Sequence, residues 1–301
     1  MIGIVILALL FMRIGIVQFW DILKTINLLW LIPSFLMTFV VQTLATINIK
    51  ILLKALNKNI SFRYLWKAVA LSQSLGTVAP GKMGEFSLIL FLKNKDIGSG
   101  TGLVVAVLDK IITFIIVSII ALVGILWFFN LKLFLVVLLI CLLIVFILIY
   151  AIISNKTRNL IKKYILRDYS KYFKGFSKDF QYIIKKRKKQ LLLNFIVTTI
   201  KWLTSFYALW FIFKAFNQPI AGYYIIFVSA VVIIISLIPI SFSGLGLRES
   251  SGTYLYHILT GISTALSMNV MIIATIRKYL IAFFFYLINL DLLEVKKLKK
   301  R

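Results

Sequence analysis

Glu85 and Glu249 each close a short stretch in which proline and glycine interrupt an apolar run: Thr77 to Phe86 (TVAPGKMGEF) and Leu237 to Ser250 (LIPISFSGLGLRES). A carboxylate beside a broken helix at membrane depth can orient a cation, accept an amino group or carry a proton, and its cost there makes function the default reading. Pro80, Gly81 and Gly84 in the first stretch, and Pro239, Gly244 and Gly246 in the second, free backbone amides and let a ligand approach the chain. Helix N-termini that start at such breaks attract anions. Lys82, Arg248, Lys110 and Arg277 are the candidate partners of the two glutamates. Asp109 with Lys110 follows the first break by one span, and Arg277 with Lys278 follows the second, so each half carries a further charged pair expected to face a bundle interior. The structural alternative is that these charges are salt bridges locking kinked helices.

The elements that hold these residues are membrane helices. The 61% hydrophobic content and mean hydropathy of +1.01 leave too little polar surface for a soluble domain. The 35 basic and 9 acidic residues give a net charge of +26, but the basic residues lie almost entirely between apolar stretches. They read as topology signals rather than a nucleic-acid surface, so no nucleic-acid partner is expected. Cys141 is alone in an apolar run and His257 is the only histidine, which supports neither a disulfide framework nor a metal site, and no cofactor is expected. Runs long enough to cross a hydrocarbon core of about 30 Å are Leu28 to Ile49, Gly102 to Phe129, Leu133 to Ile153, Leu191 to Phe213 and Ile262 to Leu290. Met1 to Met12 is too short to cross and reads as the end of a longer first helix.

Of the 35 basic residues, 25 fall in Lys50 to Lys67, Lys93 to Asp96, Ser154 to Gln190 and the tail after Leu290. These loops and the C-terminus are therefore expected in the cytoplasm, the protein in the cell membrane, and Arg13 to Asn27, Asn130 to Lys132 and Lys214 to Gly222 outside. The first broken segment then enters from the cytoplasmic face and the second from the opposite face. The expected fold is an all-α, polytopic transmembrane helix bundle with inverted repeats, each containing a Pro/Gly-broken, re-entrant helical segment. One integral membrane domain spans 1–301. It comprises a partial first helix and outer loop (1–27), repeat 1 (28–129), a connecting helix with a basic interfacial segment (130–190), repeat 2 (191–291) and a basic tail (292–301).

Two motifs carry a family resemblance. Pro80-Gly81-Lys82-Met83-Gly84-Glu85 resembles the proline, basic residue and Gly-Glu pattern of the transmembrane region of lysylphosphatidylglycerol synthases and related flippase-like proteins. Pro239-Ile240-Ser241-Phe242-Ser243-Gly244-Leu245-Gly246-Leu247-Arg248-Glu249 is similar to its Pro-x-Ser-x-x-Gly-x-Gly-x-Arg-Glu pattern, the more specific of the two. Asp109-Lys110 stands where the family often has Glu-Arg, and Thr113 where an aspartate commonly follows. The resemblance covers nearly the whole chain. It implies a module that moves an anionic or aminoacylated phospholipid, or a polyprenyl-linked lipid, between leaflets; a lipid-synthesising enzyme is a possible partner. It does not imply synthase activity, because the full synthases append a soluble aminoacyl-transfer domain and this sequence ends at Arg301, shortly after the last span.

Tyr169, Tyr172, Phe173, Phe176, Phe180 and Ile183 recur at helical spacing opposite a lysine-rich face, which predicts an amphipathic helix on the inner membrane surface. It either gathers anionic lipid or serves as a solvated linker that enforces topology. Two other functions remain open at this point: a lipid glycosyl- or phosphotransferase or a subunit of one, and an ion-coupled transporter of a small anion. The nearest acidic pairs, Asp168 with Asp179 and Asp291 with Glu294, lie in basic interfacial segments and argue against the enzyme.

Overall fold

The structure is a computed structural model, and it describes residue 12 and residues 16–79, 82–153, 175–218, 220–237 and 243–293. Every regular element among them is helical: α1 (Ile16–Lys24), α2 (Leu31–Ala55), α3 (Phe62–Val78), α4 (Leu88–Lys93), α5 (Ser99–Phe128), α6 (Leu131–Ile153), α7 (Phe176–Lys186), α8 (Lys188–Ala215), α9 (Gly222–Ser236), α10 (Leu247–Thr260) and α11 (Thr264–Leu287). Short 3-10 turns at Leu28–Trp30 and Met83–Ser87 lead into α2 and α4. Four helical stretches are long and apolar enough to cross a membrane: Leu28–Ala55, Ser99–Phe128, Lys188–Ala215 and Thr264–Leu287. They coincide with four of the five runs read from the sequence. The fifth run is α6, whose Leu139, Leu143 and Phe146 are exposed and whose buried side chain, among those described, is Cys141, the pattern of a helix facing lipid. Most of Met1 to Met12 lies outside the described residues. Arg13 to Asn27, read as a connection, contains α1, which docks on α11 where Asn269 donates to the Phe19 carbonyl at 3.3 Å.

α2 packs along α8, α5 along α9, α11 against both α3 and α10, and α10 also against α9. The apolar interior forms two main clusters. One joins the ends of α2 and α3 to α4, the start of α5 and α7, with Leu52, Leu65, Leu92 and Val104 fully buried. The other joins α8 to α9, α10, α11 and the second half of α5 around Phe213, Tyr256 and Met271. Buried polar groups tie the long helices where lipid offers them no partners. Asn48 of α2 donates to the Thr198 hydroxyl of α8 at 2.9 Å, and Asn194 donates to the Asn48 carbonyl at 3.0 Å.

The two ends of the bundle differ in chemistry. At one end Arg187 donates to Asn57, Lys67 pairs with Asp291 at 2.7 Å, and Thr101 donates to Asp179 at 2.6 Å, so the basic loops gather together. At the other end Trp30 and Trp210 flank Lys214, while Trp20 and Trp127 are exposed, an interfacial aromatic arrangement. The amphipathic helix forms as α7, but its apolar face meets protein: Phe180 and Ile183 are buried in the first cluster. Tyr169, Tyr172 and Phe173 lie outside the described residues.

Replacing Thr198 with Val should lower stability by about 1 kcal/mol, the scale of an interhelical hydrogen bond in a membrane. Thr199→Val, which removes a hydroxyl bonded back to the Phe195 carbonyl of its own helix, should leave it within about 0.5 kcal/mol. Denaturant titration in detergent micelles distinguishes the two.

Candidate functional site

The helices stop where proline and glycine forecast it, α3 at Val78 and α9 at Ser236, and the chain resumes as the Met83–Ser87 turn and as α10. Pro80, Gly81, Pro239 and Ser241 lie outside the described residues. Both breaks hold a non-glycine residue in left-handed backbone, Lys82 at φ 58° and Ser243 at φ 49°. Such strain costs on the order of 1–3 kcal/mol and persists where surrounding structure imposes it. Gly84 allows the first turn to press against α3, because a Cβ there would run into the Leu75 carbonyl and the Gly76 amide. Gly244 and Gly246 supply left-handed turns (φ 83° and 84°) that deliver the chain into α10.

Both breaks open onto one cavity of about 260 Å³. Lys82 and Glu85 reach it from the first break, Ser243 and Arg248 from the second, and Arg277 and Lys278 from α11. Gln42 of α2, Gln73 of α3, Trp202 and Ser205 of α8, and the hydrogen-bonded pair Ser229 and Tyr256 complete its polar wall. A smaller pocket lined by Ser72, Gln73, Glu85, Asp109 and Lys110 adjoins it.

The charges divide into paired and unpaired groups. Lys110 on α5 forms an ion pair with Glu85 and a 3.2 Å contact with Asp109, whose other oxygen lies 4.0 Å from Lys201 on α8. This alternating series ties the first break to α5 and α8. Glu249 is 2% exposed, and among the described residues no cation lies within 4.0 Å of it. It accepts from the Gly246 amide at 2.6 Å and from the Thr275 hydroxyl, so it caps α10 and fastens that helix to α11. The Gly246 amide is thereby occupied. Arg277 is buried and donates through Nη1 to the Ser34 hydroxyl and carbonyl and, at 2.9 Å, to the Ala208 carbonyl, joining α11 to α2 and α8. Lys278 donates to the Ser243 hydroxyl at 2.8 Å and carbonyl at 3.3 Å. Among the described residues no carboxylate lies within 4.0 Å of Lys82, Arg248, Arg277 or Lys278.

Sequence reasoning named Lys278 beside Arg277 without assigning it to the site, and did not single out Lys201, Trp202 or Gln42. Lys201 carried a signal, since it is a lone lysine inside the apolar run Leu191 to Phe213. Among the described residues no three His, Cys, Asp or Glu side chains converge to hold a metal ion.

Removing the cap by Glu249→Ala leaves a buried amide and hydroxyl without their partner and should lower stability by about 1–3 kcal/mol. Glu249→Gln retains an acceptor for Gly246 and a donor for Thr275, so most of that loss should be absent. Thermal unfolding of the two variants in detergent checks the assignment.

No curated protein matches the chain. The family model for the lysylphosphatidylglycerol synthase transmembrane region matches residues 1–285, a span that includes both breaks, three of the four long apolar helices and all but the last two residues of the fourth, and the cavity-lining Lys82, Glu85, Ser243, Arg248, Arg277 and Lys278. The chain is a membrane protein belonging to the lysylphosphatidylglycerol synthase transmembrane-region family.

Proposed function

We propose that this protein moves a phospholipid or a polyprenyl-linked lipid between the leaflets of the cell membrane. The observation that carries this reading is the cavity itself: a polar, cation-rich space inside an apolar bundle, lined by both helix breaks. Its side wall supports lipid access. Thr38 and Gln42 of α2 and Ile281 and Phe285 of α11 line the cavity, and just outside them Phe39 meets Phe284 and Phe285 edge-on. Phe39 and Phe284 are 37% and 46% exposed, so an aromatic seam separates the polar space from the lipid-facing surface. A headgroup enters the cavity through that seam while its tails stay among lipid.

In this reading 28–129 and 191–291 are inverted repeats, and the two broken segments are re-entrant, one entering from the basic, cytoplasmic end and the other from the aromatic end. The helix packing supports it. α2 pairs with α8, α5 with α9 and α11 with α3, a pattern that maps onto itself when the halves are exchanged. Rocking of one half against the other then exposes the cavity to each leaflet in turn. Glu85 and Asp109 orient Lys110 and Lys201 at the cavity edge, and Glu249 keeps α10 fixed, so the carboxylates hold the site in shape and no reaction chemistry is assigned to them. An enzyme that makes the lipid is a partner compatible with this activity.

Vesicles containing the protein and a fluorescent phospholipid should lose inner-leaflet fluorescence to a membrane-impermeant quencher. Glu85→Gln, which breaks the pair with Lys110, should slow the exchange by at least about tenfold. Exchange no faster than in protein-free vesicles for any phospholipid or polyprenyl lipid, or a wild-type rate in Glu85→Gln, would contradict the proposal.

A further inference from the structure

We propose that the cavity is built for a lipid headgroup carrying two or more negative charges, a phosphate monoester or a diphosphate, and that it disfavours aminoacylated headgroups. This rests on the translocation reading and narrows its substrate. Six basic residues lie within the spans and breaks, Lys82, Lys110, Lys201, Arg248, Arg277 and Lys278, against three acids, Glu85, Asp109 and Glu249, a surplus of three positive charges. Glu85 is engaged by Lys110, Asp109 by Lys110 and Lys201, and Glu249 by an amide and a hydroxyl. Four cations that line the cavity therefore have no carboxylate within 4.0 Å among the described residues.

Uncompensated charge inside a membrane is expensive, and the surplus sets what a ligand must supply. A phosphodiester brings one negative charge and leaves much of the surplus standing. A phosphate monoester brings about 1.5 to 2 at neutral pH, and a diphosphate more. A lysyl ester of phosphatidylglycerol adds two ammonium groups to its single phosphate and increases the surplus. The cavity offers such ammonium groups little in return, because the one carboxylate among its described lining residues, Glu85, is already held by Lys110.

The hydrogen-bonding inventory points the same way. Arg277 uses only Nη1 for its bonds to Ser34 and Ala208, and Lys278 is steadied by Ser243, so both cations are held in place with donors to spare. The buried Trp202 Nε1 in the cavity wall finds no acceptor among the described residues. Phosphate oxygens satisfy lysine, guanidinium and indole donors together.

The test compares lipids that differ only in headgroup. Dissociation constants in detergent, read by native mass spectrometry, are measured for dioleoyl phosphatidic acid, dioleoyl phosphatidylglycerol and its lysyl ester, with inorganic phosphate as the soluble arm. Phosphatidic acid should bind at least about tenfold more tightly than phosphatidylglycerol, and the lysyl ester most weakly. Lys278→Gln and Arg248→Gln should each narrow the preference for phosphatidic acid by about tenfold, while binding of phosphatidylglycerol falls less and reports that the fold is intact. A lysyl ester that binds as tightly as phosphatidic acid, or a preference unchanged in both variants, overturns the proposal and leaves translocation standing. Inorganic phosphate binding as tightly as phosphatidic acid retains the multianion site but overturns its lipid source, and with it the translocation reading.

Discussion

A helix broken inside a bilayer leaves amides and carbonyls that hydrocarbon cannot satisfy, and the rest of this bundle is arranged around two such breaks. Each break is stabilised from outside its own helix. At the first, Gly84 lets the turn lie directly on the α3 backbone, and Glu85 reaches Lys110 on α5. At the second, Glu249 closes the start of α10 and binds it to Thr275 on α11, while Lys278 holds the Ser243 carbonyl. The two solutions use different chemistry, an ion pair in one half and a helix cap in the other. Both serve the same end, because backbone groups freed at a break inside an apolar bundle need partners.

Supporting the breaks fixes the electrostatics of the space between them. The acids are consumed in structural contacts, and the cations on the cavity wall are left over. Arg277 shows how such a charge is tolerated: it is held by two carbonyls and a hydroxyl rather than by a carboxylate, a geometry that solvates the guanidinium without neutralising it. Those leftover cations are the basis for proposing a multiply charged anionic headgroup as the ligand.

Much of this was legible in the sequence, and the reasons for the rest are local. Hydropathy over twenty or so residues is a strong signal, so the apolar helices fall where the runs predict them. Proline and glycine marked both breaks to within a few residues. The role of Glu249 was harder to read, because a carboxylate at membrane depth suggests a ligand while the same residue three positions after Gly246 obeys an ordinary capping rule. The periodicity around Phe180 predicted an amphipathic helix but not what would cover it, and protein covers it rather than lipid headgroups. α1 escaped notice because nine residues with mixed polarity resemble a connection. The convergence of Lys82 with Arg248, Arg277 and Lys278 on one cavity brings together residues 166 to 196 positions apart, and no local pattern encodes that.

The most direct measurement is a cryo-electron microscopy structure of the protein with phosphatidic acid bound. Phosphate density is expected within hydrogen-bonding reach of Lys278 and Arg248, facing Lys82, with the acyl chains leaving through the seam between α2 and α11. Phosphate density confined to the basic end of the bundle, over an empty cavity whose cations have turned to carboxylate partners, would contradict this expectation.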